Sequence, residues 1–408
     1  MRYVRAWSGS TNPCWPVSSG PPRLHAIRPA LAMSDRGLSG HLLPVRVKPQ
    51  ADELLSSWLT RLSLGHGLHP RAFCTSLWPA KRIWVGDIDR HATTDILSVL
   101  AKKTAISLRR AFATTLNAYE GKLWESLTPY GSMPWLLLGA LQSQRRCRPG
   151  LQYCPQCLRA DAIPYFRRCW RLGFVTVCTD HHRRLLDRCP ACREPVNFQC
   201  LPGDTDTITR CYQCQLDLGV ADAPVLEASP VHQRLVAFQT FLLGALTTGW
   251  CQLGNHEVVR LPHYLRVLHH LGRLLVTHRH ADHQRAMLCR RVAQPYFAPC
   301  LPAAKRWALE GLSITDRFRL LLLLAWWVDD WPERFMAVCL ATLLWPSELL
   351  RRMPDPPLWY EQIVQKVSWW EALKKAIQEY DDKSCLAQAR AAQTTPGTPE
   401  RWLVGDAR

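Results

Sequence analysis

The sequence predicts a mainly α protein with small ribbon-like β elements at its centre. Three observations carry that reading. Apolar residues recur at spacings of three and four on both sides of the middle of the chain. Cysteine and histidine pairs crowd into residues 154–214. Proline and glycine punctuate the remainder into short helical lengths.

The first 41 residues are rich in Pro, Gly, Ser and Arg, with no acid before Asp35 and no hydrophobic period. They read as a disordered leader (1–41), with Met33 an alternative start. Residues 42–150 form an N-terminal helical domain. Within it Leu54, Leu55, Trp58, Leu59 and Leu62 make an apolar stripe that begins after Asp52, the expected N-cap. Gly65 and Gly67 stop that helix, and Pro70 starts a second one through Phe73 and Leu77. Two helices joined by a glycine turn have the helix-turn-helix outline, although any αα-hairpin shares it. Further helical pattern fills 90–127.

Within 151–220 the argument turns on spacing. Cys154 and Cys157 are followed, after 20 residues, by Cys178 and His181; Cys189 and Cys192 are followed, after 18, by Cys211 and Cys214. An x2 gap lets one tight turn aim two ligands at one ion, and two such turns complete a tetrahedron. The intervening lengths are those of a zinc ribbon. The eight residues divide into two consecutive closed sets, three cysteines with one histidine and then four cysteines. The expectation is two structural zinc ions per chain with no open catalytic position. Each would contribute about 10–16 kcal/mol to folding, in a stretch short of apolar residues after 186. His182 competes with His181, but the recurring gap favours His181. The other cysteines read as small buried hydrophobes.

From 224 to 380 the chain is rich in Leu and Trp, with breaks near Gly249, Gly254, Pro295, Pro332 and Pro354–Pro357, and six to eight helices are expected. Residues 334–360 suggest a second helix-turn-helix with its turn at Pro346 and Ser347. The five histidines between His269 and His283 lack ligand partners at firm spacing and read as exposed helix ends. The tail, 381–408, carries little pattern. The whole is therefore an N-terminal region with a helix-turn-helix, a central double zinc-binding module and a C-terminal helical domain.

The chain carries a formal net charge of +18. The commonest polyanionic partner of so basic a chain is nucleic acid. Arg145, Arg146 and Arg148, just before the first ligand pair, are phosphate-binding candidates, and Arg71 is a DNA-binding candidate on the second helix. No apolar run reaches 18 residues; the longest, 320–328, reads as a buried helix, so no membrane span is expected. With no secretory h-region, a reducing compartment follows, where clustered cysteines bind metal. No Walker loop, Rossmann glycine pattern or Gly-x-Ser-x-Gly elbow occurs. Asp87, Asp89 and Asp95 are explained as caps and turn residues, and no enzyme is expected.

With those residues in view, the chain resembles the TniQ/TnsD family of transposition proteins. The resemblance rests on Cys154–Leu158, Pro164–Phe166, Trp170, Val175–Cys178, His181, Leu185–Leu186 and Cys189–Cys192, within residues 42–220. It implies a zinc-binding, DNA-associated target-selection adaptor that links a target site to an AAA+ ATPase and an integrase-like transposase of the same element. Some members recognise DNA directly and others ride on an RNA-guided effector complex; a homodimer stays open. The implied location is the bacterial cytoplasm, at the nucleoid. The alternative is a zinc-stabilised transcription regulator or a domesticated transposon relic. The leader has no counterpart in the family. Ordering it would cost about 1–2 kcal/mol of backbone entropy per residue with nothing to bury, so deleting residues 1–33 should leave the melting temperature unchanged. A drop of many degrees would reveal a structural element there.

Overall fold

The computed structural model describes residues 42–137, 150–254, 257–300, 309–342 and 344–367. The expected leader and the 381–408 tail lie outside the described residues. The architecture is mostly helical, with two small antiparallel sheets and two cysteine-rich clusters compatible with zinc-binding modules.

Five α-helices open the described chain: α1 (Leu55–Gly65), α2 (Pro70–Leu77), α3 (Ile88–His91), α4 (Thr94–Thr104) and α5 (Leu108–Phe112). The apolar stripe of α1 meets Phe73 of α2 and Leu97 and Leu100 of α4 in one core. Asp52 is not the N-cap. Leu54 holds that position without a side-chain cap. Asp52 instead adopts φ 53° and takes bonds from the Tyr119 hydroxyl and the Cys169 amide, and it pairs with Arg168. The residue that serves the helix start is Glu53, which is buried, accepts from Gln50 N and Ser57 Oγ, and pairs with Arg61 at 2.6 Å.

The central segment is built from α6 (Pro155–Ala160) and a two-residue hairpin, β1 (Val177–Cys178) against β2 (Arg183–Arg184), in register Val177↔Arg184. Seven further α-helices follow among the described residues: α7 (Pro230–Thr248), α8 (Leu261–Thr277), α9 (Ala281–Arg291), α10 (Ile314–Asp329), α11 (Glu333–Ala341), α12 (Pro346–Leu349) and α13 (Leu358–Lys366). The apolar run at 320–328 lies within α10 and is buried along almost all of its length. A hairpin, β3 (Trp250–Leu253) with β4 (Glu257–Arg260), replaces the simple helix break expected around Gly249 and Gly254. Both glycines sit at positive φ, 82° and 57°, where only glycine is unstrained. Pro346 is not a turn residue; it starts the one-turn helix α12, so the second helix-turn-helix outline does not form as expected. His269 and His278 are not exposed helix ends. They pair with Glu310 at 2.9 Å and Glu348 at 3.0 Å.

The N-terminal helices are stitched to the central segment by backbone and by charge. Leu54 N donates to Phe166 O, Arg168 N to Asp52 O, and Phe166 N to Ser57 Oγ. Below this seam Arg171 is buried and bonds Asp87 at 2.5 Å, Asp89 at 3.0 Å and the Leu137 carbonyl at 2.9 Å. Asp89 in turn accepts from the Ser56 amide and hydroxyl of α1. Asp87 does hold the N-cap position of α3, without a side-chain cap bond, and Asp89 its first turn, but both carboxylates are taken up by the ion pairs with Arg171. Burial works against the charged form of Asp87, but the Arg171 guanidinium outweighs it and holds that carboxyl below its usual range. Burial pushes Asp89 up to about 6 against the pull of Arg171, and Asp87 adds to the rise.

Two outcomes follow from this triad. Arg171→Ala strands two buried carboxylates and should destabilise the protein by about 3–5 kcal/mol. Asp89→Asn keeps the acceptor for the Ser56 amide and removes one of two like charges, so it should cost far less at pH 7. A carboxyl raised above its unfolded value contributes stability that is complete below that value and lost as the pH rises through the folded one. Wild type should therefore lose stability relative to Asp89→Asn as the pH climbs from about 4 to about 6. Urea unfolding across that range checks both; equal cost for the two substitutions, or parallel pH profiles, contradicts the assignment.

Candidate metal centres and the helical hairpin they support

The structure brings together the eight residues singled out by spacing, and it does so in consecutive sets. Cys154, Cys157, Cys178 and His181 have ligand atoms all within 4.8 Å of one another, as do Cys189, Cys192, Cys211 and Cys214. His181 Nδ1 lies 3.7, 3.3 and 3.4 Å from the sulfurs of Cys154, Cys157 and Cys178, while His182 is exposed. Cys157 and Cys178 are 3.6 Å apart, and the Cys189–Cys214 and Cys192–Cys211 separations are both 3.5 Å. A tetrahedral ion with Zn–S of about 2.3 Å and Zn–N of about 2.0 Å requires edges of about 3.5–3.8 Å. A disulfide needs about 2.05 Å, and all seven cysteines are free. Both sets could hold a metal ion.

Three of the four ligand pairs share one local design. His182, Arg193 and Gln215, each the residue after the second ligand, adopt φ of 48°, 65° and 59°. Their amides donate to the carbonyls of Cys178, Cys189 and Cys211 at 3.0, 3.0 and 2.9 Å. Each non-glycine residue in that region costs about 1–2 kcal/mol, and ligation is the interaction that would offset it. The fourth pair differs: Pro155 starts α6, Cys154 is its N-cap residue, and Cys157 sits one turn in.

The electrostatics point the same way. Without a cation, hydrogen bonds from Cys157 and Cys178 pull the Cys154 thiol down to about 3, while its bond to Cys154 pushes Cys157 upward. In the second set Cys214 falls to about 7, drawn down first by the Leu216 amide, while burial lifts Cys211 to about 12. One thiol ionises at its neighbours' expense. A divalent cation removes that conflict, because it holds every ligating thiol deprotonated.

Around the sets lie residues that spacing could not reveal. Gln239 of α7 accepts from the amides of Thr176 and Val177 at 3.0 and 3.2 Å, clamping the strand that leads into Cys178. Arg317 of α10 is buried and donates to Gly173 O at 3.1 Å. Phe166 packs edge-on to Trp170 and Phe198, and Arg167 lies over Tyr165 and Trp170 while gripping Asp161. The loop between Cys192 and Cys211 backs onto the turn joining α1 and α2. A Cβ on Gly203 would stand 2.6 Å from His69 N and 2.9 Å from Leu68 C, so only glycine fits.

Of the basic candidates, Arg71 is exposed on the first turn of α2 and lines an open groove of about 540 Å³ with Lys81, Arg82 and Val85. Arg145, Arg146 and Arg148 lie outside the described residues. No helix among the described residues is long and apolar enough to cross a membrane.

A metal titration of chelator-stripped protein should reach two equivalents per chain. Cobalt(II) should give the sulfur charge-transfer absorption of thiolate coordination at both steps. One equivalent or none would contradict the two-site geometry.

No curated protein matches the chain. The family model TniQ matches residues 44–185. That span takes in α1 to α6, the Arg171 triad and the whole first ligand set, and stops short of Cys189. Residues 44–185 of the chain are thus similar to the TniQ domain, which implies in general terms a part in transposition target selection.

Proposed function

We propose that this protein is a zinc-binding, DNA-associated adaptor that links a target site to an AAA+ ATPase and an integrase-like transposase. The observation that carries the reading is the TniQ match over residues 44–185, which encloses both the helical hairpin and the Cys154–His181 set. Zinc at both sets is supported by the thiolate-rich donors and by edges of tetrahedral length. The division into an N-terminal helical domain (42–150), a double zinc module (151–220) and a C-terminal helical domain (224–380) belongs to the same proposal. In it the zinc ions hold shape and carry out no chemistry: each has four protein ligands, with no open position for water. DNA contact is assigned to the basic surface, Arg71 included, through phosphate attraction.

The reading predicts a separation of functions. Cys157→Ser removes a ligand beside the 165–171 segment on which α1 rests. Target-directed insertion should be lost, by at least about tenfold, the change that 1.36 kcal/mol produces. Donor-end cleavage by the partner transposase, assayed under conditions that do not need targeting, should survive. A purified chain that cuts or joins DNA by itself, with the activity lost in Asp87→Asn, would defeat the adaptor reading and make the buried acidic pair a catalytic site.

A further inference from the structure

Between the C-terminal half of α8 and the turn after α12 lies a cavity of about 220 Å³ that shares no lining residue with either ligand set. Its walls carry Arg273, Arg279, Arg351 and Arg352, with Glu348 the single carboxylate. That carboxylate is already committed, to His278 and to Arg279, both at 3.0 Å. Arg273, Arg351 and Arg352 have no ion-pair partner among the described residues. Cations near a helix C-terminus do complement its dipole, a gain of about 0.3–1 kcal/mol. One or two arginines satisfy that role, and Arg351 and Arg352 are not on α8.

Two features point to a ligand. Arg352 adopts φ 62°, and the turn sets two consecutive arginines on one cavity at a backbone cost of about 1–2 kcal/mol. His270, which also lines the cavity, has a buried Nε2 with no hydrogen-bond partner among the described residues. Burial holds its ring down at about 4, so at neutral pH it is uncharged and the arginines carry the attraction.

We propose that this cavity seats a backbone phosphate of duplex DNA. Guanidinium groups match phosphate oxygens in geometry as well as charge. An extended polyanion fits better than a free phosphate because the cationic row continues: Arg266, exposed on α8, lies two turns before Arg273, about 10 Å along the same face. The identity of the polyanion rests on the DNA-associated reading above. The residues were not visible as a site in the sequence, since α8 and the turn after α12 are far apart in the chain and only the fold brings them together.

The test uses the full chain and a short duplex of random sequence. Arg351→Ala/Arg352→Ala is compared with a charge-matched pair on α9, Arg290→Ala/Arg291→Ala; all four residues are exposed, and melting curves confirm the folds. The cavity pair should weaken binding for every sequence and flatten the log–log salt dependence by about 0.9 per lost phosphate contact. The α9 pair should change neither. Equal effects of both pairs, or no effect of either, overturn the cavity assignment while leaving DNA association intact. If wild type fails to bind duplex at low salt, the DNA-associated reading falls together with this one. A separate arm adds inorganic phosphate at constant ionic strength. Stabilisation by phosphate that the cavity pair abolishes, with duplex binding unaltered, would assign the cavity to a small phosphate compound and overturn the DNA proposal.

Discussion

The buried guanidinium of Arg171 is the point on which the arrangement depends. It sits between the segment that carries the first ligand set and the helices that make the hairpin, and it is nearly sealed from water. An isolated charge in that position would be untenable. Asp87 and Asp89 make it tenable, and the Leu137 carbonyl completes its donors. Burial, with the charge of Asp87 added to it, displaces Asp89 upward, and Asp89 leans on two bonds from Ser56. The interaction is directional. Apolar packing between the same surfaces would permit sliding; a forked guanidinium with fixed acceptors does not.

The ligand sets impose a second constraint that reaches the same helices from another side. The loop between Cys192 and Cys211 touches the α1–α2 turn through Gly203, where no side chain can be accommodated. The segment after Cys157 meets α1 through Phe166 and Arg168. Each set therefore supports a different part of one hairpin. The buried ligand cysteines also share one core with the leucines and tryptophans of the C-terminal helices, whereas α1, α2 and α4 close a second core, so loss of a ligand at either set is expected to be felt on both sides.

Ligand spacing and helical periodicity were legible in the sequence because both are local: an x2 turn and a 3.6-residue repeat each need only a few neighbours. Consecutive sets follow from loop length, and His181 over His182 from the repeated gap. What could not be read was non-local. Asp52 looks like an N-cap until Arg168, Tyr119 and Cys169 claim its carboxylate from 67 to 117 residues away. Glu310 is 41 positions from His269, and Glu348 is farther still from His278, beyond any spacing rule. The β3–β4 hairpin escaped for a different reason. Its strands are four residues each and flank glycines that equally well end a helix.

These connections bear on how rigidly the parts of the described chain are held together. The hairpin, the ligand sets and the C-terminal helices are joined by polar contacts of fixed geometry: Arg171 to Asp87 and Asp89, Gln239 to the β1 strand, Arg317 to Gly173. Each is buried, and each would leave an unsatisfied group if its partner moved by more than about an ångström. Reorientation of one part against another by small steps is thus disfavoured. On this frame the basic groove beside Arg71 and the arginine cavity beside α8 keep a fixed relation, set by side chains far from either. That rigidity is what the proposed adaptor role, with one surface for a target and another for partners, would draw on.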